Sequence, residues 1–217
     1  MNNEFIKRIL SSIILLPIIF FLIIKGSILF NLLLFLILLL SAYEWRSMSK
    51  NKSYQFIGYV FILLSVISVY EIRTNADNNY WTLLIITIIC ILTDIGGFIF
   101  GKILKGPRLT KYSPNKTYAG ALGSFITPII SIPILISYKL LSDKNIIEII
   151  IFFILISAIS QIGDIIISYF KRISKIKDTG KIIPGHGGLL DRIDGMLFVF
   201  PCLYFLFSIG LFKNLIL

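Results

Sequence analysis

The chain has 217 residues, 57% of them apolar, with a formal net charge of +10. Soluble domains sit near half apolar, so this composition, with a mean hydropathy of +0.91, excludes a soluble enzyme or a disordered segment and marks an integral membrane protein. Two cysteines and one histidine also exclude a disulfide framework and any metal site built from several imidazoles.

Seven apolar stretches can be drawn, at about residues 9–24, 27–43, 55–70, 80–101, 118–141, 145–170 and 195–215. They predict an all-α, polytopic membrane helical bundle of about seven transmembrane helices. Lys7 and Arg8 precede the first stretch, but apolar sequence resumes at once after it and no Ala-x-Ala-like site follows. It is therefore read as a retained span, not a cleaved leader. Residues 1–93 hold the amino-terminal helices, and residues 94–217 form a catalytic region with loops at 102–117 and 171–194.

Basic residues alternate sharply between the two ends of these helices. With the amino terminus inside, the inner segments hold 16 of the 21 Lys and Arg, while the outer ones hold only Lys25, Arg73, Lys139, Lys144 and Lys213. Such a bias in short loops predicts that the loops at 102–117 and 171–194 face the cytoplasm. The positive charge is then available to anionic headgroups or nucleotides at that face.

The fourth stretch carries Asp94, followed at i+3 and i+7 by Gly97 and Gly101. A carboxylate inside a span is costly and is expected to face a cavity with partners. Cys90 and Cys202 lie within spans and are expected to be packing residues. The loop that follows has five basic residues and no acid. It ends in Ser113-Pro114-Asn115-Lys116-Thr117, two hydroxyls and an ammonium at the start of a helix, where anions bind readily. Thr117, Gly120, Ala121 and Ser124 then form a small-residue stripe, which would accommodate close helix packing or a homodimer.

The sixth stretch carries Asp164, with Ser168 at i+4, Lys171 at i+7 and Arg172 at i+8 on one helical face. This stripe runs into a polar island, Ser168 to Asp194, that packs six Lys/Arg, three Asp, one His and five Gly or Pro into 27 residues. No lipid-facing helix could hold that set. Asp191 and Asp194 are spaced i,i+3, so they share a face if a helix has begun by then, and such a pair suits a hard divalent cation held against phosphates. His186, between glycines, is expected on a tight loop as a phosphate donor or proton carrier.

The run from Ser168 to Asp194, with Lys171, Arg172, Lys177, Asp178, Gly180, Pro184, His186, Gly187, Gly188, Asp191 and Arg192 between them, resembles the carboxy-terminal signature of the phosphatidate cytidylyltransferase (CDP-diacylglycerol synthase) family. Asp94 with Gly101-Lys102, the segment Ser113 to Gly120, and Gly163-Asp164 are similar to further family motifs. The resemblance covers about residues 94–200. It departs at Ala119 and Ile167, where the family usually has Glu, and in having fewer amino-terminal spans.

The resemblance implies transfer of a cytidylyl group from CTP to phosphatidate, giving CDP-diacylglycerol and pyrophosphate, in a bacterial inner membrane. It implies catalytic roles for Asp164, Lys171, Arg172, His186, Asp191 and Asp194. Substrate binding would fall to Ser113, Lys116, Thr117, Ser168, Lys177, Asp178 and Arg192, and Mg2+ binding to Asp94, Asp164, Asp191 and Asp194. The expected partners are CTP, phosphatidate and membrane lipid, and no nucleic acid. Two alternatives stand beside this: a CTP-dependent lipid or polyprenol kinase, and a non-enzymatic transporter or scaffold. A transport path would need polar residues through the outer half of the bundle, where the sequence offers almost none besides Glu148.

Overall fold

In a computed structural model of the chain, residues 3–75, 80–113, 116–141, 145–183, 185 and 187–212 are described, with the side chains of 3–10, 12 and 75 left aside. The described residues form eight helices: α1 (Asn3–Lys25), α2 (Ser27–Ser49), α3 (Gln55–Asn75), α4 (Tyr80–Leu104), α5 (Tyr118–Ser137), α6 (Ile146–Ile173), α7 (Leu190–Ile193) and α8 (Met196–Ser208). Among them only two isolated β-bridges occur, Arg108 with Thr117 and Ile183 with Gly187. The all-α expectation holds.

Five helices, α2 to α6, are long and apolar enough to cross a membrane. The runs Ile13–Lys25 in α1 and Met196–Ser208 in α8 are shorter. Of the boundaries that shift, two bear on the site. α2 continues to Ser49 rather than ending at residue 43, which brings Glu44 inside a helix. The last stretch does not run unbroken from 195 to 215. A turn at Asp194–Gly195 separates the single-turn α7 from α8, and α8 ends where Gly210 takes a positive φ of 85°.

α4 is the central helix. Its buried residues Leu83, Leu84, Ile85, Ile86, Ile89 and Cys90 pack with Ile149, Phe152, Phe153 and Ile156 of α6 and Val199, Phe200 and Leu203 of α8. Cys202, expected to be a packing residue, is instead exposed on α8. A smaller cluster of Trp45, Met48, Ile62, Ile167, Leu190 and Leu197 lies nearer the polar loops. Ile167 therefore fills an apolar contact.

α4 and α5 share the most extensive helix contact, and its cause is the absence of side chains. A Cβ on Gly96 would fall 2.3 Å from the Gly123 carbonyl oxygen, and one on Gly120 would fall 2.8 Å from that of Gly97. The small-residue stripes thus close on each other within one chain. Pro128 and Pro133 sit inside α5, and the Ser131 hydroxyl donates to the Pro128 carbonyl at 2.6 Å.

The two ends of the bundle differ in chemistry. At one end, Arg73 of α3 donates from Nε to the Ile23 carbonyl at 3.0 Å, tying α3 to the close of α1. At the other, the loop after α4, the loop after α6 and the start of α3 come together. There Arg172 Nε donates to the Tyr112 carbonyl at 3.1 Å, and the Tyr54 and Ser174 hydroxyls meet at 3.1 Å. The described functional residues expected from sequence belong to this second end.

Candidate functional site

A cleft of about 400 Å³ opens there. Apart from His186, which lies outside the described residues, all the candidate catalytic, substrate-binding and metal residues line it. Asp94 comes from α4; Ser113, Lys116 and Thr117 from the loop and start of α5; Asp164, Ser168, Lys171 and Arg172 from α6; and Lys177, Asp178, Asp191, Arg192 and Asp194 from the island. Stretches separated by as many as 100 positions, Asp94 to Asp194, converge on one volume. The cleft wall carries five Lys or Arg and five Asp.

The α6 stripe is realised at its near end. The Ser168 hydroxyl donates to Asp164 Oδ1 at 3.3 Å, and Asp164 Oδ2 forms an ion pair with Lys116, reaching across from the loop before α5. Both charged side chains keep about a quarter of their surface open, 25% for Asp164 and 27% for Lys116. Asp94 is exposed to the cleft. Asp194 is buried at the α7–α8 break, its Oδ1 accepting the Gly195 N–H at 2.9 Å. Burial first, then the nearby Asp164 and Asp94 carboxylates, push the Asp194 carboxyl well above the ordinary range, against the pull of Lys171 and the Gly195 amide.

Asp191 is placed differently from its neighbour. Its Oδ1 accepts Lys171 Nζ at 2.8 Å, and its Oδ2 accepts the backbone N–H groups of Thr179 at 2.8 Å and Gly188 at 3.0 Å. The Thr179 hydroxyl lies a further 3.1 Å from that same oxygen. With its side chain 6% exposed, Asp191 ties the island together through these bonds. Thr117 is likewise engaged locally. As the N-cap of α5, its Oγ1 accepts the Gly120 N–H at 3.1 Å. Arg172 braces two loops, through the Tyr112 carbonyl and, at 3.4 Å, that of Ile176.

The island is anchored by a residue that the sequence reading passed over. Glu44 of α2, 1% exposed, accepts the Leu189 N–H on Oε1 at 2.8 Å and the Leu190 N–H on Oε2 at 2.8 Å, which caps α7. Gly180 and Gly188 close around this carboxylate, since a Cβ on either would come within 2.7 Å and 2.5 Å of its oxygens. The rule that flagged Asp94 and Asp164, a carboxylate at the inner end of an apolar run, applies equally to Ser-Ala-Tyr-Glu-Trp-Arg at residues 41–46. Ending the second stretch at residue 43 hid it.

Among the described residues, no three His, Cys, Asp or Glu side chains form a ready-made metal cage. Asp94, Asp164 and Asp194 nonetheless present oxygen atoms to one cleft. Such a donor set suits a hard cation whose remaining ligands come from a phosphate-bearing molecule.

Fold and cleft define a multi-pass helical membrane protein with a charged site at one end of its bundle. Residues 6–72 and 54–210 match the cytidylyltransferase family, and the chain belongs to that family. A phosphatidate cytidylyltransferase of Rickettsia bellii is 35% identical over 210 residues, covering 92% of this chain and 89% of that protein. Another, of Rickettsia felis, is 35% identical over 212 residues, covering 92% and 90%. The phosphatidate cytidylyltransferase of Staphylococcus haemolyticus is 36% identical over 166 residues, covering 74% of this chain but only 63% of that longer protein.

Proposed function

We propose that the chain transfers a cytidylyl group from CTP to phosphatidate at the cytoplasmic face of a bacterial inner membrane, releasing pyrophosphate and leaving CDP-diacylglycerol in the lipid. The observation that carries this is the cleft wall of five cations and five carboxylates at a helix end, in a chain whose relatives are phosphatidate cytidylyltransferases. The bias of 16 of 21 basic residues toward this end supports the cytoplasmic assignment.

The chemistry follows from charge. A phosphate oxygen of phosphatidate attacks the α-phosphorus of CTP, one P–O bond forms, and the bond to the β-phosphate breaks. The attacking phosphate is already ionised, so positioning and charge neutralisation supply most of the rate. Lys116, Lys177 and Arg192, with Ser113 and Ser168, would hold phosphate oxygens from the cleft wall. Lys171 and Arg172 hold the island and its neighbouring loop at the cleft edge.

Because the wall's own charges balance, two polyanionic substrates need added positive charge. Asp94, Asp164 and Asp194 fit that need, and Mg2+ held there would neutralise phosphate oxygens on both substrates. Asp191 acts on the same site through the loop it folds. His186 stays assigned to the phosphates on the resemblance alone.

The test is direct. Purified protein incubated with labelled CTP, magnesium and phosphatidate should yield a lipid-extractable cytidine product, with ATP and GTP poor donors. Equal rates with all four triphosphates, or a phosphorylated alcohol in place of a CDP-lipid, would overturn the reading.

A further inference from the structure

Gln161 lies on α6 one turn before Asp164 and lines the same cleft, and its Nε2 is buried with no hydrogen-bond partner among the described residues. A buried amide donor left unpaired is costly, and a folded chain seldom keeps one without a use. Three residues of helix place it about 4.5 Å further from the charged loops than Asp164. At this depth the cleft wall changes character. Gly97, Ala121 and the buried Ser124 hydroxyl stand beside Asp94 in place of the Lys and Arg of the mouth, and Phe98 is 67% exposed.

We infer that Gln161 donates a hydrogen bond to an acyl-ester carbonyl of the diacylglycerol backbone, and so selects ester-linked lipid substrates. The inference rests on the proposed reaction. A neutral amide donor matches a neutral carbonyl acceptor, whereas the phosphates have Lys and Arg nearer the mouth. In a phosphatidate the ester carbonyls lie a few bonds from the phosphate, toward the chains. A lipid lying along exposed Phe98 with its phosphate at Asp164 and Lys116 brings those carbonyls to the depth of Gln161. The nucleotide enters from the opposite, cationic side and does not reach it.

The experiment compares diacyl phosphatidate with its dialkyl ether analogue at fixed CTP, using the full chain in detergent-lipid micelles. The wild-type protein should favour the diacyl lipid by about tenfold in kcat/KM, the equivalent of about 1.4 kcal/mol. Gln161→Leu should lose the preference through the diacyl lipid alone, with the ether substrate and the KM for CTP unchanged. Reading both lipids on one protein sample cancels differences in folded fraction. Should Gln161→Leu fail to fold, Gln161→Glu keeps the shape, exchanges the donor for an acceptor and should give the same loss of preference. No ester preference in the wild-type protein, or an equal fall on both lipids, would overturn the inference. Absence of CDP-lipid from either substrate in the wild type would instead overturn the reaction on which it rests.

Discussion

The Glu44 carboxylate receives the Thr179 hydroxyl at 2.8 Å across 135 positions of sequence. Through that contact and its bonds to Leu189 and Leu190, the second helix sets where the island stands. The anchor is buried and charged, which makes it costly to break.

Glu44→Ala leaves two backbone N–H groups and a hydroxyl without their acceptor, each worth about 1–3 kcal/mol when buried. We expect CDP-lipid formation to fall at least tenfold. Trypsin should then cut after Lys177 or Lys181, both exposed in the island, at concentrations that spare the wild type. Unchanged proteolysis with unchanged turnover would show that the island stands without its anchor.

Asp191 and Asp194, three residues apart, should respond differently to loss of charge. Asp194→Asn should lose about two orders of magnitude in turnover, the scale of one electrostatic stabiliser, with partial rescue by raised magnesium. Asp191→Asn breaks the Lys171 ion pair and the bonds to Thr179 and Gly188. Its loss of activity should resist magnesium and be accompanied by a lowered melting temperature. Magnesium titrations of both variants decide the matter, and identical curves would argue against separate roles.

The helices were legible because apolar runs of about 20 residues have few alternatives in lipid. The convergence of Asp94, Ser113, Lys116, Asp164 and the island was legible too, since each is polar where lipid forbids it. What the sequence hid was the division of labour. By spacing Asp191 looks the equal of Asp194, and the backbone donors of Thr179 and Gly188 that distinguish it leave no trace in side-chain patterns. Thr117 reads as an anion ligand, and its second task, capping α5 through the Gly120 N–H, shows only in the fold. The small-residue stripe reads equally as a dimer seam, and only the fold reveals Gly96 against Gly123.

That packing has its own consequence. Gly96→Ala puts a methyl 2.3 Å from a carbonyl oxygen of α5, whereas Gly101→Ala meets the Thr117 hydroxyl at 3.3 Å. Overpacking of the first kind costs about 1–3 kcal/mol. Gly96→Ala should therefore lower the folded yield and melting temperature, and Gly101→Ala should change them little. Equal stability of the two variants would argue against so close an α4–α5 contact.

The cytoplasmic assignment can be tested on the exposed Lys181, which does not line the cleft. In a Cys202→Ser background, leaving only buried Cys90, Lys181→Cys should resist a membrane-impermeant maleimide in intact cells and react after permeabilisation. Labelling of intact cells would reverse the orientation and place the cleft away from CTP.

The Lys116–Asp164 pair joins the loop before α5 to α6, and each partner keeps about a quarter of its surface open. Ion pairs so exposed contribute about 0–1 kcal/mol, so Lys116→Met should shift the melting temperature by a few degrees at most. Its effect on the reaction should be far larger and should act in two directions. The triphosphate loses a cation, which raises the KM for CTP and lowers turnover at least tenfold. Asp164 loses its competitor, which lowers the magnesium concentration giving half-maximal rate. Lys116→Arg restores the charge and should recover part of the turnover. Opposite movement of the CTP and magnesium requirements identifies a lysine that shares Asp164 with the cation. Wild-type values for both would reduce the pair to a surface contact without a part in catalysis.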